Sequence, residues 1–371
     1  MRTPLRLVAL AVAAAAACAL PVPAAAAPSG VEVSDYTLGD RAFRFGDHDF
    51  EITGRVHSPR RPGRFPVVLL AHGLWDTCAG STFAWPCPPG EPALRSQDGY
   101  DYLASDLAAQ GMVVVSISVN GINAGPMGQE ADRARAALAN RHLALWQQLS
   151  ATGGGELAGR FTESGRPKQV DFRGRVDLDR VGLVGHSRGG RGVAYQVADK
   201  HLGELPRGVR VRAAVPLAPA EYYAPDPEAP ENLDYRITQV PFLAVSGTCD
   251  HSVSGGKDYF DNAAGRNTVP VRLLTLRGAN HNFHNTEWSP ASGRPHAHDD
   301  VDSNQARTTP GHCRDRAGAS VRQLTEAEQH RATSVYLSAF FRRYLLGDRT
   351  ADLVLSGAVK PVGAVAEIKT R

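Results

Sequence analysis

Seven short apolar runs, at residues 50–56, 67–70, 112–119, 181–184, 211–217, 242–245 and 271–276, are each closed off by Gly, Pro or charged residues. Runs of that length and β-branched content read as strands buried on both faces. Stretches with helical spacing stand among them at 96–110, 129–149, 190–201 and 257–264, and a long one follows at 325–346. Strands that alternate with helices must be joined by crossovers. Crossovers make neighbouring strands parallel and put the helices on both faces of the sheet. The expected class is therefore α/β, with a mostly parallel central sheet and a core from about 50 to 346. No internal repeat or composition break divides residues 28–371, which read as a single domain. Two excursions, 151–179 and 282–319, are polar and read as surface loops, and the tail 350–371 is expected to add an edge strand. The connection 218–240 is Pro-rich and too short for a helical cap.

The chain opens with Arg2 and Arg6, an uncharged Ala/Leu/Val core and a small-residue run to Ala27. That order describes a secretory signal peptide over 1–27, to be removed from an extracellular protein. The apolar core at 7–20 is shorter than the ~20 residues of a spanning helix, so no stable membrane anchor is expected. Lipidation at Cys18 is the alternative, although no larger aliphatic residue precedes it. The formal charge of the full chain is +3, and loss of Arg2 and Arg6 leaves it nearly neutral. The remaining charges alternate in sign, so no basic patch suggests nucleic acid, and a monomer is expected.

Cys78, Cys87, Cys249 and Cys313 remain, an even number in an exported chain. Disulfides are expected, with Cys78–Cys87 and Cys249–Cys313 favoured among the three connectivities because the first closes a small Pro/Gly loop. Free buried thiols are the alternative. Zinc is disfavoured, since no Cys-x-x-Cys pair occurs. His284, His296, His298, Asp299 and Asp300 lack the fixed spacing that aligns metal ligands, so no metal is expected, and no phosphate-binding glycine loop suggests a nucleotide.

The run 181–184 leads directly into Gly185-His186-Ser187-Arg188-Gly189, and a helical stretch follows. Gly-x-Ser-x-Gly between a strand and a helix is the nucleophile elbow of serine hydrolases, and it nominates Ser187. The turn is sharp enough that side chains at 185 and 189 would clash. A serine needs an imidazole to take its proton and a carboxylate to orient that imidazole. Asp250 follows the strand 242–245 and is the expected acid, with Glu221 the runner-up. His281 follows the strand 271–276 and is the expected base, with His284 its rival on the same loop. For the oxyanion, the amide of Arg188 is one donor, and the loop Ala71-His72-Gly73-Leu74-Trp75 offers Leu74 as the second, with Trp75 next. Trp75 would then line an acyl pocket.

With His72-Gly73, Gly185-His186-Ser187-Arg188-Gly189-Gly190, Asp250 and Gly278-Ala279-Asn280-His281 in this order, the chain resembles the α/β-hydrolase superfamily over most of 50–346. It is most similar to secreted dienelactone-hydrolase-like and cutinase-like or polyester-hydrolase-like ester hydrolases. The resemblance implies hydrolysis of small-molecule or polymeric carboxylic esters through a Ser187 acyl-enzyme, with no metal or organic cofactor. A serine peptidase of the prolyl-oligopeptidase type would use the same triad, but that family carries a propeller domain for which the chain has no room. A catalytically silent binding protein on the same fold is the third reading.

Overall fold

A computed structural model of the chain describes residues 30–80, 82–222, 232–263, 265–293 and 311–371. The expected signal segment 1–27, Cys18, and His296, His298, Asp299 and Asp300 lie outside the described residues, as does the stretch 223–231 of the connection expected to lack a cap. In chain order the elements are β1 (Val31–Phe45), β2 (His48–Pro59), β3 (Phe65–Ala71), α1 (Asp101–Ala109), β4 (Val113–Ile117), α2 (Asn120–Ala124), α3 (Gly128–Thr152), β5 (Phe161–Glu163), β6 (Arg166–Pro167), β7 (Val176–His186), α4 (Arg188–Val197), β8 (Val211–Leu217), β9 (Phe242–Gly247), α5 (Gly256–Asn262), β10 (Val271–Leu276), β11 (His312–Arg314), β12 (Ser320–Arg322), α6 (Glu326–Leu345), α7 (Asp352–Leu355) and β13 (Ala366–Thr370).

Among the described residues, eleven strands form one sheet in the order β13-β10-β9-β8-β7-β3-β4-β2-β1-β5-β6. The six from β4 to β10 are parallel throughout. The flanking strands are antiparallel: β13 against β10 on one side, and β2, β1, β5 and β6 on the other. The fold is thus α/β with a large mixed sheet, parallel at its centre. It also reaches past the expected core on both sides, to Val31 and to Thr370.

The pleat explains why β3 is apolar at every position. Val67 and Leu69 face a core layer shared with α3, α4 and α5, where Trp146, Val193 and Phe260 are buried. Val68 and Leu70 face the opposite layer, shared with α1 and α6, where Leu107, Tyr336 and Phe340 are buried. Full burial of each such side chain stabilises by roughly 1.5–3 kcal/mol. A strand sandwiched this way has no solvent side on which a polar residue would be cheap.

Chain order sets the position of the site. From β3 the chain moves outward to β4, then returns to β7 on the other side of β3 and continues to β10. The strand order reverses between β3 and β7, and in open α/β sheets ligands bind beyond the carboxyl ends of strands at such a point. Those ends carry His72-Gly73 and His186-Ser187.

Candidate active site

Ser187 joins β7 to α4 with φ 57 and ψ −122, a left-handed backbone that few non-glycine residues adopt. Its neighbours hold it there. The Ser187 amide donates to the Leu217 carbonyl at 3.0 Å, and its carbonyl accepts from the amides of Ala220 at 3.1 Å and Arg191 at 3.2 Å. A Cβ on Gly185 would fall 2.1 Å from the Gly189 carbonyl oxygen, and one on Gly189 would fall 2.5 Å from the carbonyl oxygens of Ala71 and His72. The glycine spacing is therefore enforced by backbone packed against backbone. A Cβ on Gly73 would lie 2.5 Å from the Cβ of Ser187 and 3.2 Å from its Oγ, so the loop after β3 passes directly over the serine. Beneath the elbow the Arg191 Nε lies 2.7 Å from Asp132 Oδ2, and the Tyr235 hydroxyl donates to the same oxygen at 2.7 Å.

Asp250 and His281 meet at the ends of β9 and β10. His281 Nδ1 donates to Asp250 Oδ2 at 2.9 Å, and both side chains are buried. The amides of Ser252 and Val253 donate to Asp250 Oδ1, each at 3.0 Å. Both carboxylate oxygens are thus held, and the proton on His281 is fixed at Nδ1, which makes Nε2 the acceptor of the neutral ring. The two turns are also tied to one another. The Cys249 amide donates to the Ala279 carbonyl at 2.9 Å, and the Gly278 amide to Thr248 Oγ1 at 2.9 Å. On α6, Gln329 clamps the backbone beside His281: its Oε1 accepts from the Asn280 amide at 3.0 Å, and its Nε2 donates to the Asn280 carbonyl at 2.9 Å.

The hairpin β11–β12 fastens both turns from outside. The Cys249–Cys313 disulfide joins β11 to the acid turn with Cα atoms 5.6 Å apart, and the Arg316 Nη2 donates to the Val253 carbonyl at 2.7 Å. After β12, the Leu324 amide donates to the Gly278 carbonyl at 2.8 Å, in the turn that leads to His281. Removing a bridge of this kind commonly costs about 2–5 kcal/mol. The double variant Cys249→Ala/Cys313→Ala is expected to lose stability on that scale in urea unfolding. Unchanged urea unfolding would mean that the hairpin does not brace the Asp250 turn. Cys78 and Cys87 are likewise joined, with Cα atoms 5.6 Å apart, in the loop after β3.

An aromatic stack adjoins the elbow at His186. The His186 ring stands 4.8 Å from that of His281 and 5.0 Å from Trp288, which in turn stacks on Trp75 at 5.2 Å. The Tyr100 hydroxyl lies 3.0 Å from His186 Nδ1, and the Trp288 indole N–H donates to Ser96 Oγ at 2.9 Å. Burial pushes His72 and His284 down to about 3 and holds His186 well below the ordinary imidazole range. The imidazoles around His281 are accordingly neutral.

Asp250 pairs with His281, whereas His284 is buried and lies 3.2 Å through its Nδ1 from Thr333 Oγ1. Glu221 is exposed and accepts from the Ser254 amide and hydroxyl at 2.5 Å. Arg188 opens α4 and so places its amide at a helix N-terminus. Leu74 and Trp75 follow Gly73 and are half-buried, with Trp75 stacked on Trp288. The stretch 282–293, expected to be surface loop, instead begins with a 3-10 turn at Asn282–His284 and buries Trp288 completely. Sequence reasoning missed Tyr100, Trp288 and Gln329, which carry no local motif. A helical-phase reading of 325–346 that asked why a glutamine faces the core was the one available signal for Gln329. Among the described residues no helix is long and apolar enough to cross a membrane. A scan of protein-family models finds no match to this chain, and a search of curated proteins finds none either.

Proposed function

We propose that this protein is an exported serine hydrolase with the α/β-hydrolase fold that cleaves carboxylic esters through Ser187, His281 and Asp250. The observation that carries the reading is the Asp250–His281 pair, tautomer fixed, whose imidazole stands 4.8 Å from the ring of His186, the residue before the strained elbow serine. In this reading Ser187 Oγ attacks the ester carbonyl as His281 Nε2 takes its proton, and the amides of Arg188 and Leu74 hold the oxyanion. His281 then protonates the departing alcohol. Water, deprotonated by the same nitrogen, attacks the acyl-enzyme and frees Ser187. Asp250 stabilises the imidazolium in both halves. Trp75 contributes to the acyl pocket, small-molecule or polymeric esters are the substrates, and the chain works as a monomer without metal or organic cofactor. The two disulfides and the leader-like composition of 1–27 support export.

The test is fluorophosphonate labelling of the purified mature protein, followed by an ester and peptide substrate panel over acyl chain lengths. Stoichiometric labelling lost in Ser187→Ala, with ester turnover, is the expected result. Labelling with peptide turnover alone would replace the ester reading by the peptidase one. A folded protein that neither labels nor turns over any substrate would leave a binding role.

A further inference from the structure

The reading above needs the Leu74 amide to face a developing oxyanion, yet the peptide that carries it follows a glycine. Glycine tolerates both of the backbone conformations that a peptide flip interconverts, so something must decide which way this peptide points. One deciding contact comes from α2, an element the proposed chemistry does not otherwise use, and the other from His72 itself. The Gly73 carbonyl oxygen accepts from Asn123 Nδ2 at 2.9 Å and lies 2.9 Å from His72 Nδ1.

Both donors have their identity fixed by a further partner. Arg135 Nη2 lies 2.7 Å from the other end of the Asn123 amide. A guanidinium has no acceptor, so the atom facing it is Oδ1 and the NH2 group is the one on Gly73. The Val119 amide donates to His72 Nε2 at 2.9 Å. A neutral ring that accepts at Nε2 carries its proton at Nδ1, which is the atom on Gly73. Arg135 and His72 are buried, and a Cβ on Gly192 of α4 would fall 2.7 Å from Arg135 Cβ, so the relay is packed in place. In a planar trans peptide the N–H points opposite to the C=O. Two donors on the Gly73 oxygen therefore turn the Leu74 N–H the other way, at a glycine where an added Cβ would fall 2.5 Å from the Cβ of Ser187.

We infer that Asn123, oriented by Arg135, acts together with His72 as a positioning residue that locks the Gly73–Leu74 peptide in the orientation an oxyanion donor requires. The inference rests on the proposed hydrolase reading. Without the clamp the peptide is free to present its carbonyl oxygen to the oxyanion, which repels where the amide attracts. Loss of one oxyanion donor outright typically costs about 10²–10³ in turnover, and a loosened donor should cost a part of that.

Asn123→Asp is nearly isosteric, keeps a partner for Arg135 and cannot donate to Gly73. Asn123→Leu removes the donor without adding charge. Both are expected to lower kcat on a short-chain ester about 10- to 100-fold while KM stays within about threefold. Affinity for an alkylboronic acid, which mimics the tetrahedral intermediate, should fall in step with kcat/KM. Asn123→Ser, which falls short of the Gly73 carbonyl, serves if the leucine variant does not fold. A folded variant with wild-type kcat and boronate affinity, or one in which KM alone rises, overturns the clamp. A wild-type protein that hydrolyses no ester and binds no boronate overturns the hydrolase reading instead.

Discussion

Ser187→Ala is expected to remove ester turnover altogether, and His281→Ala to do nearly the same, each on the order of a million-fold. The two act as one unit: without the serine there is no acyl-enzyme, and without the imidazole there is no acceptor for the hydroxyl proton. Asp250→Asn should cost less, about 10⁴-fold, because the serine and imidazole survive while the amide lets the ring adopt the wrong tautomer. Stability should move differently. Ser187 holds φ 57, a conformation that costs a residue with a Cβ about 1–3 kcal/mol. Ser187→Gly is therefore expected to be as dead as the alanine variant yet to unfold at a higher temperature. Initial rates on a soluble short-chain ester, with calorimetry on the same preparations, check both statements. If His284→Ala were the inactive variant and His281→Ala kept its rate, the base would be misassigned and the Asp250–His281 pair would be structural.

What the sequence made legible follows from how local the cause was. β8 and β10 begin and end where their apolar runs do, because strands buried on both faces advertise themselves residue by residue. β1 stayed invisible for the opposite reason. It is charge-rich, and its register with β2 shifts on either side of Gly39, so its apolar residues never alternate cleanly. It is a strand because β2 and β5 pair with it. The stretch 151–179 misled in the same way: it looks like a polar loop, but Leu157, Phe161 and Phe172 are buried and Phe161 pairs with Tyr36. In the site, Ser187, Asp250 and His281 could be nominated because each directly follows an apolar strand. Asn123 and Trp288 could not, and Gln329 only through its helical phase, because each matters through a backbone or ring contact made far along the chain.

Acid should unfold this protein earlier than its carboxylates alone would suggest. Burial pushes His72, His142 and His284 down to about 3 and His57 to about 4, against an ordinary value of 6.5. Their folded values are depressed, so the stability they contribute is complete above about 6.5 and is lost as pH falls, since the unfolded chain takes up protons that the folded chain refuses. Each such histidine costs about 1.4 kcal/mol per pH unit below that point. The buried carboxyl of Glu51 acts oppositely. Burial raises its folded value, so its penalty is relieved as pH falls, and Asp98, Asp101 and Asp132 are shifted the same way. With that offset, stability is still expected to fall between pH 7.5 and 5.0, by less than the buried histidines alone would give. Urea unfolding across that range measures it. In His142→Gln, which keeps a polar partner for the Tyr36 hydroxyl now 2.7 Å from His142 Nδ1, the slope of stability against pH should fall by about one proton. An unchanged slope would remove His142 from the account, and a stability that held or rose down to pH 5.0 would mean that the buried carboxyls, and not the histidines, govern the acid limb.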